Sequence, residues 1–213
     1  MTQTEGIPDM RHLIKLSLGL LLAWALAACG TAPTGPGWVT LIDGDKGLDN
    51  WARLGDANWR AEGAAIVADQ GKGGYLVSKD SWRDFIIYAE FWAATDTNSG
   101  IFLRAQDAAK IGADNAYEVN IWDIRPDPKY GTGGIVDFAA VPVPPVFLAG
   151  GRWNTYEIEA RGAMVSVKFN GVPTVTMQNG KFASGPFALQ FGAGVQGALS
   201  GPIKWRKVMI KPL

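Results

Sequence analysis

The stretch "MVSVKFNGVPTVTM", residues 164–177, decides the architecture. Val165, Val167 and Phe169 alternate with Ser166 and Lys168, the period of a strand with one buried face. Asn170-Gly171 follows, and a second run, "PTVTM" (173–177), completes the pair. A two-residue type I′ turn needs positive φ at both central residues, which Asn and Gly tolerate, so the stretch predicts a β-hairpin. Similar short runs recur at 38–42, 64–68, 74–78, 84–92, 100–105, 117–123, 153–160, 187–191 and 203–211. Gly, Asn, Asp or Pro separates most of them, and no segment of a dozen residues keeps a helical period. The pattern predicts an all-β chain folded as a two-sheet antiparallel sandwich. One long connection, "RPDPKYGTGGIVDFAAVPVPPVFLAGG" (125–151), is rich in Pro and Gly. It is predicted to run over the surface, where Pro need not donate to a ladder, with "GGIVDF" as a further short strand.

The N-terminus reads differently. Arg11 and Lys15 precede an apolar run, Leu16 to Ala28, too short to cross a bilayer as a helix. Leu26, Ala27, Ala28 and Cys29 resemble a bacterial lipobox. That resemblance implies cleavage before Cys29 and lipidation of it, with stable membrane anchoring through more than one acyl chain. Gly30, rather than Asp, after the cysteine points to an outer membrane facing the periplasm. Met10 offers an alternative start. The expected organisation is a signal peptide over 1–28, a lipidated Cys29 with a flexible tether over 29–37, and one β-sandwich domain over 38–213.

Removing the signal restricts the chemistry. The chain's single His, His12, lies within it, and its single Cys is Cys29. The mature domain therefore excludes a Ser-His-Asp triad, a Cys-His pair, a His-ligated zinc and a disulfide. Acid–base work falls to Asp, Glu, Tyr, Lys or Arg. A bound metal would have oxygen ligands, as calcium or magnesium does. Net charge is zero with no basic run, so nothing indicates nucleic-acid binding. Asp43, Asp45 and Asp49 lack the terminal Glu of a calcium loop and read as turn formers. "GKGG" (71–74) lacks the spacing of a phosphate loop.

Three strands have unusual second faces. In 85–92, Phe85, Ile87, Ala89 and Phe91 oppose Ile86, Tyr88, Glu90 and Trp92. In 101–104, Ile101 and Leu103 oppose Phe102 and Arg104. In 117–123, Tyr117, Val119, Ile121 and Asp123 oppose Glu118, Asn120 and Trp122. Placed in one sheet, the second faces would gather carboxylates, an Arg, an Asn and indoles on one surface. Indoles cover the apolar faces of sugars, while carboxylates, Arg and Asn bond their hydroxyls. Two carboxylates near one Arg can also take different pKa values. The alternative is an ordinary wetted face with a Trp beneath a loop.

The series "LIDGDKGLDNW" (41–51), "YLVSKDSWRDFIIYAEF" (75–91), "NSGIFLRA" (98–105), "YEVNIWD" (117–123), "GTGGIVDF" (131–138), "RWNTYEIEARGAMVSVKFNGV" (152–172) and "IKWRKVMIKPL" (203–213) is similar to the 3-keto-disaccharide hydrolase domain family. The resemblance implies a concanavalin A-like jelly roll that cleaves glycosidic bonds of sugars oxidised at C3. It implies that Glu90, Arg104, Glu118 and Asp123 occupy positions the family fills alike. The chain departs from the pattern at Asn120, where Gln is usual, and after Gln190, where a His is often found and "LQFGAG" (189–194) has none. The resulting assignment takes Glu118 as acid or base, Arg104 as oxyanion stabiliser and Glu90 as second carboxylate. Asn120, Trp122, Trp92, Tyr88, Gln190 and Asp123 are assigned to substrate. No cofactor is required, although an oxygen-ligated divalent cation, calcium or manganese, is compatible. The expected partners are a carbohydrate, the membrane through the lipid anchor, and an upstream sugar 3-dehydrogenase. The competing readings are a non-catalytic carbohydrate-binding lipoprotein and an envelope interaction module without a sugar site.

Overall fold

Two antiparallel sheets pack face to face in the computed structural model, which describes Met1 and residues 31–213. The cleavage site and Cys29 lie outside the described residues. The strands are β1 (Val39–Asp43), β2 (Trp51–Gly55), β3 (Arg60–Glu62), β4 (Ala65–Ala68), β5 (Gly74–Ser78), β6 (Phe85–Ala93) and β7 (Ser99–Leu103). They continue with β8 (Tyr117–Ile121), β9 (Arg152–Arg161), β10 (Met164–Phe169), β11 (Val172–Gln178), β12 (Ala188–Phe191) and β13 (Ile203–Pro212). The larger sheet has the order β11-β10-β9-β6-β13-β4-β3, with β1 also on β13. The smaller sheet has the order β2-β5-β12-β7-β8.

The predicted hairpin is present. β10 and β11 pair through Asn170 at φ 50° and Gly171 at φ 79°, and Val165, Val167 and Phe169 point into the core. The inner faces follow the alternation. Phe85, Ile87, Ala89 and Phe91 of β6 meet Tyr117, Val119 and Ile121 of β8, with Leu189, Phe191 and Trp205 in the same core. Two strands, β2 and β3, went unpredicted. Both lie at sheet edges, where short strands with polar side chains are common.

One pairing expectation is overturned. β6 belongs to the larger sheet, whereas β7 and β8 belong to the smaller one. Their outward faces therefore lie on opposite sides of the sandwich and do not combine.

The long connection does more than cover surface. Residues 131–136 are buried along the outer edge of β8. Asn120 N donates to Gly134 O at 3.0 Å, Gly133 N to Asn120 O at 3.1 Å, and Val136 N to Glu118 O at 3.0 Å. These bonds satisfy an edge that would otherwise present free amides and carbonyls. "GGIVDF" contributes isolated bridges at Ile135 rather than a strand. From beneath, Tyr156 of β9 crosses the core. Its hydroxyl donates to Asn120 O at 2.6 Å and accepts from Gly133 N at 2.8 Å. β8 is thus held from its edge and from its buried side.

Candidate functional site

Register fixes which side chains share the outer face of the smaller sheet. Val77 pairs with Ala188, Ala188 with Phe102, and Phe102 with Glu118, which makes one row. In the next row Tyr75 pairs with Gln190, and Gly100 with Asn120. The β12–β7 register, continued by one residue, sets Gly100 beside Gln190. Gly100 is therefore a gap in the second row. A Cβ there would stand 3.3 Å from Glu118 Cγ and 3.4 Å from Glu118 Oε1, so the missing side chain leaves the carboxyl room.

Glu118 is buried, and no donor among the described residues hydrogen-bonds its carboxylate. Burial pushes its pKa from 4.5 up to about 7; attraction to Arg125 opposes this, and repulsion from Asp137 adds to it. A carboxyl half-protonated near neutrality can both take and give a proton.

Four further polar atoms on or beside this face are buried without a hydrogen-bond partner. They are Asn120 Oδ1, Gln190 Oε1, Trp122 Nε1 and Arg125 Nε. The remaining such atoms among the described residues are the indole nitrogens of Trp51, Trp59 and Trp205, all in the core. Buried polar groups are normally paired, so orphans on and beside the face that carries Glu118 mark a place for a ligand. Two are acceptors and two are donors, a set that suits hydroxyls and a carbonyl.

Toward β5 the face opens into a depression of about 690 Å³, bounded by Tyr75, Gln190, Ile111, Lys72 and Gly73. That volume lies in the range of small-molecule sites. The Tyr75 hydroxyl donates to Ile111 O at 3.1 Å and lies 3.5 Å from Gln190 Nε2. Its ring meets Phe102 edge-on, with centroids 5.4 Å apart. Burial raises the Tyr75 pKa, the Gln190 bond lowers it, and the Glu118 charge raises it. Gly73 belongs to the "GKGG" segment, which forms the wall of the depression.

Of the residues assigned from sequence, Glu118, Asn120 and Gln190 share this face, and Trp122 continues their alternation past the end of β8. Asn120 also anchors the long connection, its Nδ2 donating to Tyr130 O at 2.6 Å. Trp122 has the Arg125 guanidinium 5.5 Å from its ring centroid.

The other assigned residues are elsewhere. Glu90, Tyr88 and Trp92 lie on the outer face of the larger sheet. Glu90 accepts from Tyr88 Oη at 2.8 Å and from Arg206 Nε at 2.5 Å. Trp92 faces Trp153 across the β6–β9 pair, and both rings are covered by cations, Lys204 Nζ at 5.0 Å and Arg206 Cζ at 4.3 Å. The sheets of a sandwich stand about 10 Å apart, and Glu90 and Glu118 point away from each other. They cannot form the carboxyl pair of a direct glycosidase, which needs about 5–9.5 Å.

Arg104 is fully buried. It has φ 54°, which breaks the alternation after Leu103 and turns its side chain away from the outer face. Its guanidinium donates to the carbonyls of Arg83, Gly162 and Phe182 and to Asp84 Oδ1. It is a structural clamp and not an oxyanion stabiliser. The Asp123 carboxylate accepts from Thr132 Oγ1, Ala149 N and Gly150 N. That engagement staples 149–150 to the end of β8 and leaves Asp123 no role toward substrate. Sequence reasoning missed Tyr75, Gly100 and Arg125. The alternation of "GYLVS" already put Tyr75 and Val77 on one face.

The profile of the 3-keto-alpha-glucoside-1,2-lyase-like domain matches residues 37–211. A candidate glycosyl hydrolase from Parabacteroides distasonis superposes with TM-score 0.68 at 17% identity, over 83% of this chain and 94% of that one. A carbohydrate-binding module, CBM66 from Bacillus subtilis, gives 0.54 at 13% identity over 82% and 95%. A Bacillus subtilis protein with a galectin-like fold gives 0.53 at 10% identity over 80% and 93%. These likenesses establish the fold, a jelly-roll sandwich of the galectin and concanavalin type. No curated protein matches the chain.

Proposed function

The chain belongs to the 3-keto-alpha-glucoside-1,2-lyase-like domain family, and from that membership we propose that it cleaves glycosidic bonds of sugars oxidised at C3, with Glu118 as the proton-transfer group. The observation that carries this reading is the Glu118 carboxyl, buried, without a hydrogen bond, raised to about 7, on a face that also carries unpaired donors and acceptors. A C3 ketone acidifies the C2 hydrogen. Glu118 takes that proton, and the C2–H electron pair moves toward the ketone, which becomes an enolate. When the ketone re-forms, C1=C2 forms and the bond from C1 to the departing oxygen breaks. The proton passes to that oxygen. Water can then add to the product. One carboxyl suffices, which fits a site that Glu90 cannot reach.

Among the described residues no three His, Cys, Asp or Glu side chains come together as a metal site. A divalent cation at Glu118 would have one carboxylate and the neutral oxygens of Asn120 and Gln190, and the proton transfer itself needs only Glu118. The resemblance of Leu26–Cys29 to a lipobox supports a proposed placement at the cell envelope; the substrate itself requires prior oxidation at C3, the work of a sugar 3-dehydrogenase.

The test follows leaving-group release from 3-keto-glucosides and from their unoxidised parents. Release from the keto-sugars only is expected. No release from either, with sugar quenching of Trp fluorescence, would replace this reading by binding without turnover; the departures at Asn120 and after Gln190 favour that second reading. A separate variant tests the geometry. Gly100→Ala places a Cβ 3.0 Å from Val119 O and against the Glu118 carboxyl. It is expected to lower turnover by about 10–100-fold through misplacement of that group. Because Val119 O is backbone, the variant should also melt at a lower temperature than wild type, so turnover is read on protein shown to be folded.

A further inference from the structure

We infer that Arg125 is the cation that holds the C3 oxygen of the keto-sugar and stabilises the enolate; this inference rests on the proposed function above. With Arg104 clamped in the core, the face needs another group for the charge that develops on that oxygen. Lys72 and Lys110 border the depression, but Arg125 is the cation whose charge acts on Glu118. Glu118, Asn120 and Trp122 alternate along one face, and Trp122 ends the series just beyond β8. The Arg125 guanidinium lies over the Trp122 ring at 5.5 Å, a cation–π contact that favours its place beside the indole. Its Nε is buried and has no partner, and Trp122 Nε1 beside it is also unpaired. Arg125 forms no ion pair among the described residues, although its charge is felt at Glu118. A buried donor on that cation, left without an acceptor, is what an incoming carbonyl oxygen would complete.

The chemistry favours a cation over a neutral donor. The ketone oxygen is neutral when substrate binds and anionic once the C2 proton has moved to Glu118. A guanidinium gains interaction energy as that charge appears, so its contribution falls mainly on the rate. It also selects the oxidised sugar, because a C3 hydroxyl never develops the charge. The groups whose charges act on Glu118 are Arg125 and Asp137, with Tyr75 facing it from β5.

The experiment compares wild type, Arg125→Gln and Arg125→Lys on a 4-nitrophenyl 3-keto-glucoside, with exchange of the C2 hydrogen in deuterated water read in parallel. Arg125→Gln is expected to lower kcat by about 10²–10³-fold with a small change in KM, and to slow C2 exchange to match. Arg125→Lys should recover part of both. Wild-type activity with Arg125→Gln within threefold of it overturns the role of Arg125 and leaves the proposed function standing. So does a loss confined to KM with C2 exchange unchanged. Wild type that releases nothing and exchanges nothing overturns the proposed function, and this inference with it.

Discussion

Glu118→Gln is expected to lower turnover of keto-glycosides by about 10²–10⁴-fold and at the same time to stabilise the protein at alkaline pH. The two effects share one cause. Burial holds the Glu118 carboxyl near 7, against 4.5 for an unperturbed glutamate. Between those values the folded state binds more protons than the unfolded state, so stability falls as pH rises through the window. Above about pH 7 the full penalty applies, about 3 kcal/mol from the difference between the two values. For a domain of this size that is about 6–12 °C in melting temperature. Glutamine is neutral throughout. Thermal scans should show the variant's advantage absent at pH 4, growing from pH 4.5 to 7 and constant above. A difference that does not vary with pH would remove the buried ionisable carboxyl from the argument, and with it the proposed acid–base role. A residue that destabilises the fold it belongs to is most simply explained by its chemistry.

Arg104→Met is expected to act the opposite way, destabilising by about 1–3 kcal/mol without touching the chemical step. The guanidinium serves three carbonyls, those of Arg83 at the start of β6 and Gly162 in the β9–β10 turn, both in exposed residues, and the buried one of Phe182 after β11. Deleting it leaves the Phe182 carbonyl without a donor at about 1–3 kcal/mol, whereas water can serve the carbonyls of the exposed Arg83 and Gly162. Its ion pair with Asp84 is a smaller part, being 3.3 Å long and partly exposed. Arg104→Lys should recover little, because one ammonium cannot reach carbonyls on three segments. Urea unfolding reads the loss directly. Folded variant protein should retain wild-type kcat, whereas an oxyanion stabiliser would have lost kcat with stability intact.

Much of the fold was legible because a strand declares itself locally. β5 coincides with its predicted run at 74–78, and the 164–177 hairpin followed from Asn170-Gly171 and the flanking alternation. β3 gave no such signal, since Arg60, Ala61 and Glu62 carry no apolar alternation. The site was legible within a strand and not between strands. Alternation correctly set Glu118 and Asn120 on one face and Tyr88, Glu90 and Trp92 on another. It does not say which sheet a strand joins, and β6 and β7, neighbours in sequence, enter different sheets. Arg104 failed for a local reason, the left-handed residue at the end of β7. Arg125 lies in a loop without periodicity and becomes visible only through its stacking on Trp122.

β13 has β6 on one side and both β1 and β4 on the other. It therefore joins the beginning of the domain to its middle, and Val39 meets Ile210 across about 170 residues of chain. Synthesis runs the other way. Until 203–212 have been made, β1 has no partner in the larger sheet and β4 has only the three-residue β3. The nascent chain can form its central hairpin early, but it cannot close the larger sheet. Closure of the larger sheet is therefore governed by β13, the strand that ties the start of the domain to its middle.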